Sequence, residues 1–160
     1  MGLLNKKILI ALLFITGSSA FAEVNTLDES LLRGLKSTEG TAFAPNGENK
    51  KLVYFWATWC PSCRQKFQNG DLAKLDQAAG VELVAVNTDK EVERAKNFLA
   101  KAKPSFKVVR DETKALTNAL GAKVAPYWAV LERDAKAKTW KVVAAEEGAD
   151  LDKMHKALGI

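Results

Sequence analysis

The chain has 160 residues, 48% of them hydrophobic and 27% charged, with a formal net charge of +5. That length holds one domain with an appreciable core and is too short for two ordinary ones, and the composition excludes a disordered chain. Basic and acidic residues are interspersed, as in Asp89 to Arg94 and Glu132 to Lys138, which argues for solubility and against a nucleic-acid groove.

The first 22 residues stand apart. Lys6 and Lys7 form a positive start, Ile8 to Ile15 an unbroken apolar run, and Ala20-Phe21-Ala22 a small-x-small site that places cleavage before Glu23. The apolar run is far shorter than the roughly 20 residues needed to cross a bilayer. The expectation is a signal peptide over residues 1–22 and an exported domain over residues 23–160, with an uncleaved membrane tether as the alternative. Cleavage leaves 22 basic against 19 acidic residues, a net charge of +3.

Beyond Glu23, the spacing of Leu27, Leu31, Leu32 and Leu35 predicts a short amphipathic helix, broken by Ser37 to Gly40. Thr41-Ala42-Phe43 reads as a short edge strand and Pro45-Asn46-Gly47 as a turn, together covering one edge of a sheet. Leu52 to Trp56 is apolar without alternation, the pattern of a central strand covered on both faces. A helix follows from Pro61, interrupted at Gln68-Asn69-Gly70, with Asp71 as a candidate cap for a second section carrying Leu72 and Leu75.

Val81 to Asn87 is a second interior strand. Thr88 or Asp89 is a candidate cap for a helix burying Val92, Ala95, Phe98 and Leu99. This βαβα run predicts parallel neighbours. Phe106 to Val109 reads as a short strand, and Asp111 or Thr113 as the start of a helix using Leu116, Ala119 and Leu120 and ending at Gly121. Val124 to Leu131 is a proline-led strand, and Thr139 to Ala144 its antiparallel return. Asp150 caps a terminal helix burying Leu151, Met154 and Leu158. The fold class is therefore α/β, a mixed sheet with helices on both faces.

Cys60 and Cys63 are the only cysteines, spaced C-x-x-C where the helix begins. A disulfide closing so small a loop removes little unfolded-chain entropy, so a structural staple is the weaker reading. The first turn of a helix favours a thiolate, which makes Cys60 the expected nucleophile and Cys63, one turn on and deeper, the resolving sulfur. Zinc needs further ligands, and the chain offers only His155; C-x-x-C-H haem attachment fails because residue 64 is Arg64. No metal and no cofactor is expected.

The run Phe55-Trp56-Ala57-Thr58-Trp59-Cys60-Pro61-Ser62-Cys63-Arg64 closely resembles the active-site signature of the thioredoxin superfamily, in particular its exported bacterial branch that includes the thiol reductases of cytochrome-c maturation. Leu120 to Pro126 is similar to the family's approach to its cis-proline loop. The resemblance implies a thioredoxin-like fold, a cis bond between Ala125 and Pro126, and a substrate surface of Trp59, Ala125 and Pro126 facing the cysteines. It also implies a periplasmic thiol–disulfide oxidoreductase whose partners are protein thiols and disulfides, with a membrane electron donor as a further candidate.

Two positions depart from the family pattern. Tyr54 stands where many relatives bury an acid, and Lys66 where the cytochrome-maturation branch places a glutamate, so water or an acid distant in sequence is expected to carry the proton. Trp56 is expected in the core, and Tyr127 and Trp128 on opposite sheet faces. The leading expectation is a reductase or electron relay. The alternatives are a disulfide oxidase or isomerase, and a redox-inactive binding module with the same fold.

Overall fold

Proline and the β-branched residues divide this chain into alternating strands and helices, and the computed structural model, which describes residues 26–160, shows how they stack. The strands are β1 (Thr26–Asp28), β2 (Lys36–Ser37), β3 (Lys50–Trp56), β4 (Val81–Asn87), β5 (Lys107–Arg110), β6 (Tyr127–Asp134) and β7 (Thr139–Glu147). The helices are α1 (Glu29–Arg33), α2 (Pro61–Gln68), α3 (Asp71–Asp76), α4 (Val92–Ala102), α5 (Ala115–Ala119) and α6 (Leu151–Leu158). The proposed signal peptide lies outside the described residues.

All seven strands form one sheet in the order β1-β7-β6-β3-β4-β5-β2. β3 pairs in parallel with β4, and β4 with β5; the other pairings are antiparallel. The expected mixed α/β fold is the one observed. β3 is central and β4 is buried along its whole length, as the apolar runs at 52–56 and 83–86 favour. Alternation then sorts the core into two layers. Leu52, Tyr54 and Trp56 pack with Leu72, Leu75, Met154 and Leu158 on the face covered by α2, α3 and α6. Val53 and Phe55 pack with Leu32, Leu116 and Leu120 on the face covered by α1 and α5. Trp56 is in the first layer, and Trp128 and Tyr127 divide between the two as expected.

Several local expectations shift. Leu27 belongs to a strand rather than a helix: β1 pairs with β7, opposing Leu27 to Trp140, and only Glu29–Arg33 winds into α1. The expected edge strand at Thr41 to Phe43 is reduced to one bridge between Ala42 and Lys36, and β2 pairs with β5 instead. The segment therefore covers both edges of the sheet rather than one. Gly70, at a left-handed φ of 73°, takes the cap position of α3, while Asp71 is its first residue and pairs with Lys66 at 3.3 Å. Neither Thr88 nor Asp89 caps α4; Glu91 holds that position without a side-chain bond. Asp111 does cap α5, from three residues before the formal cap Lys114: its Oδ2 accepts from Thr117 N at 2.7 Å. The proline-led strand begins at Tyr127, after Pro126, and continues to Asp134. Asp150 caps α6 as expected, accepting from Asp152 N and Lys153 N.

One pairing was illegible in the sequence. Lys51 and Glu82 oppose each other across β3 and β4, fully buried, with Nζ 2.7 Å from Oε2. Lys107 reaches the other carboxylate oxygen at 3.0 Å, and Asn46 N donates to both oxygens. This ion pair ties the loop before β3 to the sheet, at the end opposite the cysteines.

Candidate active site

The carboxyl end of β3 delivers the chain into a tight turn, closed by Cys60 N donating to Ala57 O at 3.2 Å. Cys60 then takes the N-cap position of α2, with Pro61 opening the helix, where its absent N–H leaves no donor unpaired. Cys60 Sγ accepts from Cys63 N at 3.2 Å and lies 3.5 Å from the Ser62 hydroxyl. Cys60 and Cys63 form a disulfide, with Cα atoms 5.3 Å apart. Both residues are buried, Cys63 completely and Cys60 with 3% exposure.

Trp59, immediately before, is 62% exposed and is the largest apolar side chain at the surface. On the other side, the Ala125–Pro126 bond is cis. The register pairs Phe55 with Tyr127, so continuing it by one residue brings Pro126 alongside Trp56. Ala125 packs against the apolar layer that contains both cysteines. Pro126 O accepts from Gly148 N at 2.9 Å. Val124, just before, is 47% exposed. The structure bonds Cys60 to Cys63, leaves Trp59 beside Cys60 in sequence and exposed, and sets Ala125 and Pro126 just before the strand that pairs with β3.

The two positions that depart from the family pattern hold no acid–base helper. Tyr54 is wholly buried, its hydroxyl lacks a partner, and burial pushes its ionisation far up, so it cannot accept a proton from Cys63 near neutrality. Lys66 turns to Asp71. Two nearby polar residues escaped sequence reasoning. Ser62 reads as a generic helix-start residue, and its approach to Cys60 follows only from the cap geometry. Asp89 reads as a helix cap, yet its carboxylate accepts from Thr58 N and Oγ1 in the turn before Cys60.

The Redoxin family model matches residues 32–158. The chain belongs to the Redoxin family. Curated relatives include the thiol-disulfide oxidoreductase ResA of Geobacillus thermodenitrificans, 27% identical over 78% of this chain and 72% of that protein. ResA of Bacillus subtilis is 29% identical over 70% and 68%. Among solved structures, StoA from Bacillus subtilis superposes with a TM-score of 0.60 at 20% identity, covering 80% of this chain and 98% of that one, a likeness of fold. In this Redoxin domain the Cys60–Cys63 pair is the redox-active centre, and the activity is thiol–disulfide exchange.

Proposed function

We propose that this Redoxin protein is an exported reductase or electron relay for protein disulfides, with Cys60 as the attacking sulfur and Cys63 as the resolving one. The observation that carries this reading is the N-cap position of Cys60, where its sulfur already accepts a backbone N–H. A thiolate there faces the positive end of α2, while the thiol gains little. In the reducing direction, Cys60 thiolate attacks a partner disulfide, forming a mixed disulfide and releasing one partner thiolate. Cys63, once deprotonated, attacks Cys60 Sγ, releases the second partner thiolate and closes the Cys60–Cys63 bond. The partner gains two electrons, and an upstream dithiol, with a membrane electron donor as candidate, restores the pair.

The hydrogen-bonding contacts of Cys60 Sγ are a backbone N–H and a hydroxyl rather than a cation, and Lys66 is occupied by Asp71. A reduced state stabilised only this far supports a less oxidising couple than one that holds its thiolate strongly. Trp59, Ala125 and Pro126 are the proposed partner-binding residues, with an extended segment lying along Ala125. Residues 1–22 support export, to the periplasm on the resemblance to the bacterial branch, with mature protein starting at Glu23. The same resemblance supports cytochrome-c precursors as partners, since their haem-attachment cysteines react only as thiols.

The test replaces Cys63 with Ala and captures whatever remains attached to Cys60 in cells. Cytochrome precursors are the expected catch. A broad set of newly exported proteins would turn the reading toward an oxidase or isomerase. No covalent partner under several redox conditions would leave a binding module.

A further inference from the structure

Asp89 lies just past the carboxyl end of β4, and thiol–disulfide exchange as described gives it no task. It is 3% exposed. Its carboxylate accepts from Thr58 N at 3.0 and 3.2 Å, from Thr58 Oγ1 at 2.9 Å and from Asn87 Nδ2 at 2.7 Å. Arg110 braces the arrangement from the far side, donating to Asp89 O at 3.0 Å and to Asn87 Oδ1 at 3.3 Å. Asn87, Asp89 and Arg110 form part of the wall of a cleft of about 280 Å³ between the ends of β4 and β5.

A carboxylate is costly to bury unless its oxygens are filled by donors. Here both the backbone and the side chain of one residue fill them, and that residue is the first central position of the Ala57–Cys60 turn. Thr88 adds a second tie from the same segment: its N and Oγ1 both donate to Trp56 O, at 2.9 and 3.1 Å. The peptide planes at Trp56 and Thr58 are thus held on both sides of Ala57, which leaves Trp59 and Cys60 little freedom to swing. Exchange between sulfurs requires the attacking atom to arrive in line with the bond it breaks, so the direction of this turn bears directly on rate.

We infer that Asp89 is a positioning residue for exchange: through Thr58 it aims Cys60 Sγ at the incoming disulfide and presents Trp59 to the partner. This rests on Cys60 being the attacking sulfur. The clamp is built from Thr58, Thr88 and Asp89, with Asn87 and Arg110 behind it.

The test compares Asp89→Asn, Thr58→Val and Thr58→Ser with the wild-type chain. Reduced protein is mixed with insulin, as a protein disulfide, and with the small aromatic disulfide dithiobis(nitrobenzoate). Asp89→Asn, which turns an amide towards the Thr58 donors, is expected to lower kcat/KM for insulin on the order of ten- to a hundredfold. Thr58→Val, keeping the N–H bonds and losing the hydroxyl one, falls by less, and Thr58→Ser recovers most of that loss. Acrylamide quenching of tryptophan emission should change in the same order, because Trp59 is the exposed indole and Trp56, Trp128 and Trp140 are buried. Should Asp89→Asn fail to fold, the Thr58→Val and Thr58→Ser pair decides alone. Unchanged rates and quenching in folded Asp89→Asn and Thr58→Val overturn the positioning role. A wild-type chain that reduces neither disulfide removes the attacking role of Cys60 as well, so the two failures are distinguishable.

Discussion

Replacing Glu82 with Gln perturbs the fold where it is most exposed to electrostatic error. Lys51 Nζ is fully buried, 2.7 Å from Glu82 Oε2, and lies 5.2 Å from the centre of the Trp140 ring. Removing one member of a buried pair costs about 3–5 kcal/mol, because the remaining charge is left uncompensated. Here Lys51 keeps three neutral acceptors, Asn46 Oδ1 at 2.7 Å, Glu48 O at 2.9 Å and Asn46 O at 3.2 Å, which places the cost near the lower end, about 3 kcal/mol. For a domain of this size that corresponds to a melting point lower by roughly 10 °C. The assay is thermal and urea unfolding of the oxidised protein, with the disulfide intact in both variants. Lys51→Met combined with Glu82→Leu should recover part of the loss, since no buried charge is then left unpaired while Asn46 N and Lys107 still lose the carboxylate. A Glu82→Gln protein within about 0.5 kcal/mol of wild type, a surface-substitution effect, would refute the account of this pair as the anchor of the loop before β3.

The Tyr54 hydroxyl is buried without a partner, so Tyr54→Phe is expected to stabilise by about 1 kcal/mol and to leave the exchange rate and its pH profile unchanged; a fall in rate between pH 6 and 8 would make this hydroxyl part of the proton path. At alkaline pH, burial holds the ionisations of Tyr54 and Tyr127 above their unfolded value, so their stabilising contribution is full below about pH 10 and declines as pH rises beyond it. Lys51 acts oppositely: burial lowers its ionisation, the unfolded chain holds that proton more tightly, and its contribution rises with pH up to about 10.4. Urea midpoints from pH 9 to 11 should therefore fall less steeply in Tyr54→Phe/Tyr127→Phe than in wild type, and equal slopes would contradict the assignment. Asp150→Ala should cost about 1 kcal/mol by unfolding, since two N–H groups of α6 lose their acceptor.

The elements nearest the chemistry were the most legible, for a physical reason. Leu52 to Trp56 is apolar on both faces, which only a central strand permits, and Pro61 announces a helix start that places Cys60 at its head. The break at Gly70 and the cap at Asp150 were readable for the same local reasons. What escaped depended on partners far away in the chain. Leu27 fits a helical spacing with Leu31 and Leu35, but its burial comes from β7, more than a hundred residues later. Lys51 and Glu82 look like surface charges at strand ends until the parallel register of β3 and β4 sets them side by side. Asp89 looks like a cap because Asp is a good one; its bonds to Thr58 exist only after β3 and β4 have paired. The cis bond before Tyr127 came from family resemblance, since one Ala-Pro step carries no such information locally.

The outermost strands, β1 and β2, are three and two residues long and come from opposite ends of one short stretch of chain. β1 covers only residues 139–141 of β7, so among the described residues the outer side of β7 from Val142 to Glu147 has no neighbouring strand, and a ladder of six residues stays open there. Glu146 and Glu147 guard that open rim with charge, the means by which an edge strand resists pairing with another chain.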